Sequence, residues 1–127
     1  MSEKIADFQL HHVNTTYEHT GGKTLRASVN WKSEGEMDHY GAGFGTLILE
    51  HDMENPNAES GACTWQGEGF RPDGERGMGH HSGTWETKGT NTWSVRMEGW
   101  DSFDGDVVIE GEISLAELTF SGSTYRK

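Results

Sequence analysis

The stretch TWSVRMEGWDSFDGDVVIEGEISL, residues 92–115, alternates with a period of two along most of its length. In its first half Trp93, Val95, Met97 and Gly99 share one side of an extended chain, opposite Ser94, Arg96 and Glu98. In its second half Val107, Ile109, Gly111, Ile113 and Leu115 oppose Asp104, Asp106, Glu110 and Glu112. Successive side chains of a strand point to opposite faces, so each half has one dry face and one wet face, as half-buried antiparallel sheet requires. Leu25, Ala27, Val29 and Trp31 repeat the pattern against Arg26, Ser28, Asn30 and Lys32. No segment promises a helix of useful length. The best candidate, EISLAEL at 112–118, is short and runs into a β-branched and aromatic tail.

Working outward, strands are expected near residues 6–14, 23–32, 43–51, 62–70, 79–87, 91–100, 103–115 and 117–125. Thr20-Gly21-Gly22-Lys23, Pro72-Asp73-Gly74-Glu75, Thr87-Lys88-Gly89-Thr90 and Asp101-Ser102 supply turns between them. Segments 33–42 and 52–61 are expected to be longer loops. Between Ser114 and Glu117 no turn-forming residue marks a break, yet the apolar phase slips from Leu115 to Leu118, Phe120 and Gly122. A tight turn or a β-bulge would cause the slip, and the turn is preferred, giving eight strands. The fold class is therefore all-β: a single domain, residues 1–127, forming an eight-stranded antiparallel up-and-down β-barrel, with a two-sheet β-sandwich as the rival. Closure removes exposed sheet edges, and the inward glycines Gly83, Gly99, Gly111 and Gly122 suit a tightly curved wall.

Composition agrees. The 127 residues include 18 Gly and only 2 Pro, and 5 Trp, 5 Phe and 3 Tyr supply the material of a core although hydrophobic residues are 31%. The formal charge of −11 disfavours nucleic acid and anionic membrane surfaces, which need clustered Lys and Arg. A single Cys excludes an intrachain disulfide framework and a multi-Cys zinc site. No apolar run is long enough for a transmembrane span or a signal-peptide core, and the polar, mixed start MSEKIADFQLHHV leads us to expect a cytoplasmic protein.

Gly67-Glu68-Gly69-Phe70, Gly83-Thr84-Trp85, Gly89-Thr90-Asn91-Thr92-Trp93 and Phe120-Ser121-Gly122-Ser123-Thr124-Tyr125 give residues 43–127 the style of the small calycin-type barrels. The chain most resembles allene-oxide-cyclase-like barrel proteins. The Gly-x-Trp that lipocalins carry on their first strand falls here in mid-chain, at Gly83 to Trp85. The resemblance implies a barrel with a central cavity, and it implies no reaction.

Seven His residues raise metal and acid–base chemistry. His11-His12 and His80-His81 are adjacent pairs, and neighbours on a strand point apart, so neither pair chelates one ion. Neither His-x-His nor His-x-x-x-His occurs. An ion held by residues of distant strands stays open, but no metal ligand and no cofactor are assigned. Asp101, Asp104 and Asp106 mimic a fragment of a calcium loop, but Asp106 occupies the place where such a loop needs Gly. Nucleophile-elbow and phosphate-loop motifs are missing, and no residue is given a catalytic role.

Parity points His12, Cys63, Trp65, His81 and Trp85 inward, and His51 too if Leu47 and Leu49 face the core. Following the meander, His12, His51, Cys63, Trp65, Trp85 and Trp93 are expected at one barrel mouth as the candidate ligand-binding residues. His81 and Trp31 are expected at the other end. The plainer reading is that the inward aromatics are core, that Cys63 is a small buried hydrophobe, and that the acids at 50–59 and 98–112 form a solvated face. Three functions follow. The first is a module binding a small apolar or aromatic molecule, the second a cofactor-free isomerase or cyclase using the same cavity, and the third a filled structural barrel. Whether the protein is an enzyme stays open. Phe70, Val108 and Tyr125, on outward positions, would allow a homodimer.

Overall fold

A computed structural model describes residues 3–127. The chain forms β1 (Lys4–Gly21), β2 (Thr24–Met37), β3 (Gly41–Asp52), β4 (Ser60–Phe70), β5 (Arg76–Gly89), β6 (Thr92–Asp101), β7 (Gly105–Ser114) and β8 (Thr119–Arg126). Each strand pairs antiparallel with the next, and β8 closes on β1 from Thr119↔His11 to Tyr125↔Lys4. The result is a closed up-and-down barrel, which excludes the sandwich.

The phase slip after β7 is a turn. Residues 115–118 leave the sheet, Leu118 adopts a φ of 55°, and β8 returns with its even-numbered residues inward. The expected loop at 33–42 is mostly strand. β2 runs on to Met37 through an irregularity between Lys32 and Glu36, leaving only 38–40 as a turn. The second loop shortens to 53–59. Asp73 and Gly74 shape the turn after β4: the Asp73 carboxylate accepts the Glu75 N–H at 2.9 Å, and Gly74 takes a φ of 92°.

Odd-numbered residues of β2 to β7 face the interior, which settles β3 and β4: Leu47 and Cys63 are buried, whereas Phe44 and Phe70 lie outside. Leu10, Trp31, Leu47, Cys63, Trp85, Val95, Met97, Ile109 and Phe120 form one core cluster. Of the residues read as outward, Phe70 is exposed and stacks edge-on with Phe44. Val108, between Glu98 and Tyr125 on neighbouring strands, is only 7% exposed. The outer wall otherwise carries ion pairs such as Arg26 with Glu18 and Lys88 with Glu112. Among the described residues, no helix is long and apolar enough to cross a membrane.

Inward glycines let the wall fold so tightly. A Cβ on Gly83 would lie 1.9 Å from the Arg96 carbonyl oxygen, and one on Gly122 would lie 2.1 Å from that of Glu110. Both obstacles are backbone of an adjacent strand, so no side-chain adjustment relieves them. Gly89, by contrast, has open space. Gly83→Ala is therefore expected to lower unfolding free energy by about 2–4 kcal/mol or to prevent folding, while Gly89→Ala is neutral or stabilising by up to about 1 kcal/mol. Urea denaturation of the two variants checks the contrast.

Candidate functional site

Strand direction sorts the barrel into two ends. One carries the turns at 38–40, 71–75 and 102–104; the other carries the β1–β2 hairpin and the turns at 53–59, 90–91 and 115–118. The second end is the one at which the sequence gathers its candidate site, and its interior is well filled. Trp85 is buried with its indole over Gly61, where a Cβ would approach the ring nitrogen to 2.7 Å, and half-buried His51 lies 6.3 Å from the same indole. Cys63 is buried in the core, where the loss of hydration pushes its thiol up to about 11, as expected of an inert packing residue. Trp93 is half-buried and packs against the core. His12 sits apart from this group, its Nε2 2.7 Å from the Thr15 hydroxyl and its ring 5.6 Å from Trp31. Trp31 thus lies beside His12, and its ring also packs 5.8 Å from that of Phe120. Trp65 turns the other way: its ring lies over Gly45 and Gly67 and packs 5.9 Å from Phe120. Strands of a barrel are tilted and staggered, so counting residues from strand ends misplaces side chains along the axis, most of all for β1 with 18 residues beside β8 with 8.

A cavity of about 100 Å³ lies toward the first end. Phe8, Leu10, Trp65, Ile109 and Phe120 make its apolar walls, and the polar groups His81, Tyr40, Asp101 and Thr124 also line it. Two of them are placed by a local device. His81 pairs across the sheet with Gly99, whose missing side chain leaves room for the imidazole: a Cβ there would lie 2.7 Å from the His81 Cδ2. Asp101 likewise faces Gly79. One Asp101 carboxylate oxygen accepts the N–H groups of Phe103 at 2.9 Å and Asp104 at 2.8 Å, an Asx turn that fixes the loop 102–104.

The three turns of this end are knit into a lid. His39 Nε2 meets the Asp104 carboxylate at 2.8 Å, and Arg71 Nε donates to the His39 carbonyl at 2.6 Å. The Arg71 guanidinium lies 3.7 Å above the Phe103 ring. The Phe103 ring and the Tyr40 backbone carbonyl occupy the space that Cβ atoms would take at Gly77 and Gly69 respectively.

The electrostatics under this lid are those of a dry site. His81 is only 6% exposed, and neither ring nitrogen has a hydrogen-bond partner. Burial, followed by the neighbouring His80 charge, lowers its pKa to about 4, so the imidazole is neutral at pH 7. The Tyr40 hydroxyl is also buried without a partner in hydrogen-bonding geometry, although the nearby Thr124 hydroxyl moderates its shift; burial raises its pKa to about 12. Burial raises the Asp101 carboxyl as well, with the charge of Asp104 adding to the effect and the turn N–H groups opposing it.

The sequence marks His81 as inward and Asp101 as acidic, but it assigns neither to a site, and Tyr40 lies inside a segment read as loop. Asp104 is committed to His39, and among the described residues no group of three or more His, Cys, Asp or Glu side chains is arranged to hold a metal ion. Compared with protein-family models, with curated proteins and with solved structures, the chain finds no match.

A depressed imidazole pKa has a definite sign in stability. The unfolded chain takes up a proton at His81 below its ordinary pKa of 6.5, whereas the folded chain does so only near 4. Stability from this residue is thus complete above pH 6.5 and declines on acidification across that window, by about 3 kcal/mol. Asp101 works in the opposite sense but is common to wild type and variant. Urea unfolding at pH 7.5 and 4.5 is expected to show a markedly smaller acid loss in His81→Leu than in wild type. Equal losses in the two proteins would remove His81 from this role.

Proposed function

We propose that this protein is a binding module whose barrel takes one small, largely apolar or aromatic molecule into the cavity under the lid. The observation that carries this reading is an apolar-walled space that keeps buried polar groups without partners. Unpaired indole N–H groups also occur away from the cavity, at Trp31 and Trp85, so it is the coincidence of open space with unpaired groups, each destabilising by about 1–3 kcal/mol, that supports the reading. The size of the space limits the ligand. An apolar cavity of about 150 Å³ accepts benzene in a well-studied protein core, so about 100 Å³ suits a single ring or a short branched chain after modest side-chain adjustment. The resemblance to calycin-type and allene-oxide-cyclase-like barrels accords with an interior ligand. It takes its support from the barrel architecture.

One observation favours a second reading, a cofactor-free isomerase or cyclase. A neutral imidazole and a protonated phenol border the same cavity, side chains of the types that accept and donate protons, although burial leaves the one a weak base and the other a weak acid. Steady conversion of a bound molecule, lost in His81→Leu while the molecule still binds, would establish it.

Titration with benzene, followed by methyl and aromatic NMR shifts, tests the binding reading. Changes are expected at Leu10, Trp65, Ile109 and Phe120, together with a rise in melting temperature that grows with ligand concentration. Ile109→Phe, which fills the space, should abolish both. Shifts centred on His51, Cys63, Trp85 and Trp93 would move the site to the opposite end, and no response up to saturation would favour a filled barrel.

A further inference from the structure

We propose that the molecule this cavity selects is an uncharged, hydroxylated aromatic of single-ring size, a phenol, whose hydroxyl pairs with the His81 imidazole. The inference rests on the binding reading above and assigns the chemical class of the ligand.

It follows from what the cavity leaves unmatched. A neutral imidazole offers one N–H donor and one lone pair. In His81 both are buried and unpartnered, and Tyr40, whose buried hydroxyl has only the Thr124 hydroxyl near it, lines the same cavity. A ligand that repairs this arrangement must both accept and donate at one atom. A hydroxyl does so, donating to the bare imidazole nitrogen while accepting from Tyr40. A purely apolar molecule would leave every one of these groups as it found them.

Charge narrows the class further. No Lys or Arg lines the cavity, whereas Asp101 and Glu68 do. A carboxylate entering would give up its hydration, meet no cation on the wall and face the Asp101 charge. An ammonium fares little better. Asp101 commits one oxygen to two backbone N–H groups, Glu68 is paired with Arg76 at 2.5 Å, and the groups lacking partners are neutral. The walls choose the rest of the molecule: Phe8, Trp65 and Phe120 present ring edges and faces to an aromatic guest. The His81 nitrogens are shielded from solvent, so a hydrogen bond made to them is not exchanged for one made to water, and its contribution to selectivity is correspondingly large.

The experiment is a calorimetric titration of the full chain at pH 7.5 with benzene, phenol, benzoate and benzylamine, repeated on His81→Leu. Phenol is expected to bind at least about tenfold tighter than benzene, with benzoate and benzylamine weaker than either. In His81→Leu benzene affinity should persist while phenol falls to within about threefold of benzene. In parallel, the imidazole ¹⁵N resonances of wild-type His81 should move on addition of phenol and stay nearly fixed with benzene, a readout that needs no variant. Phenol binding no tighter than benzene, a preference for benzoate or benzylamine, or silent His81 resonances would overturn the phenol assignment while leaving the cavity as a binding site. Failure of both benzene and phenol to bind would overturn the binding reading as well.

Discussion

Several of the large or polar inward side chains that shape this barrel's interior lie against glycines of the wall. Trp85 covers Gly61, Trp65 covers Gly45 and Gly67, His81 lies against Gly99, and Phe103 rests on Gly77. A small barrel has too little internal volume for a bulky residue at every inward position. Alternating large with absent side chains resolves the conflict, because an aromatic ring can lie flat over the backbone its neighbour leaves bare. At Gly83 and Gly122 the same absence lets adjacent backbones approach within distances that no Cβ tolerates. Closure, core packing and the position of the cavity all depend on this pairing.

It also makes the two ends unequal. Near the β1–β2 hairpin, Trp85, Leu47, Cys63 and Val95 are buried and fill the interior. Toward the other end the inward positions of β3, β4 and β5 are Gly43, Gly45, Gly67, Gly69, Gly77 and Gly79. Six glycines on three adjacent strands subtract more volume than Trp65, Tyr40 and Phe103 return. The remainder is the cavity, bordered by Tyr40 and Phe103 from the turns that His39, Arg71 and Asp104 knit together. Low dielectric then decides the chemistry: His81 is neutral, Tyr40 keeps its proton, and both retain unused hydrogen-bonding capacity. Unspent polar capacity inside an apolar wall gives a binding site its selectivity, since only a guest with the matching group relieves it.

The residues first grouped by meander direction divide between two places. Parity along each strand is a local property and survives folding, so the inward set is right for Cys63, Trp65, His81 and Trp85, each buried or lining the interior. Height along the barrel axis is not local. It depends on strand tilt, on stagger and on irregularities such as those at His12/Asn14 and Lys32/Glu36, which no window of sequence announces. Rotamers add a second layer. The Trp65 indole leans over Gly45 and Gly67, and this carries it into the cavity and away from Trp85.

By itself, the sequence determined the strand content, the antiparallel succession, the barrel in preference to the sandwich, and which face of most strands turns inward. Those follow from period-two alternation and turn chemistry, both written in neighbouring residues. It also determined most of the acidic exterior and the single buried thiol, but not the burial of Asp101 and Asp104, which lie in a run read as a solvated face. Only the tertiary structure decided where the empty volume lies and which groups surround it. Tyr40, His81, Asp101 and Thr124 come from three strands and a turn spread over 85 positions, and their meeting depends on how the closed sheet is staggered. The state of His81 is tertiary in the same sense, because the main cause of its lowered pKa is burial in the closed barrel, with only the smaller effect of His80 coming from its own neighbourhood in the chain.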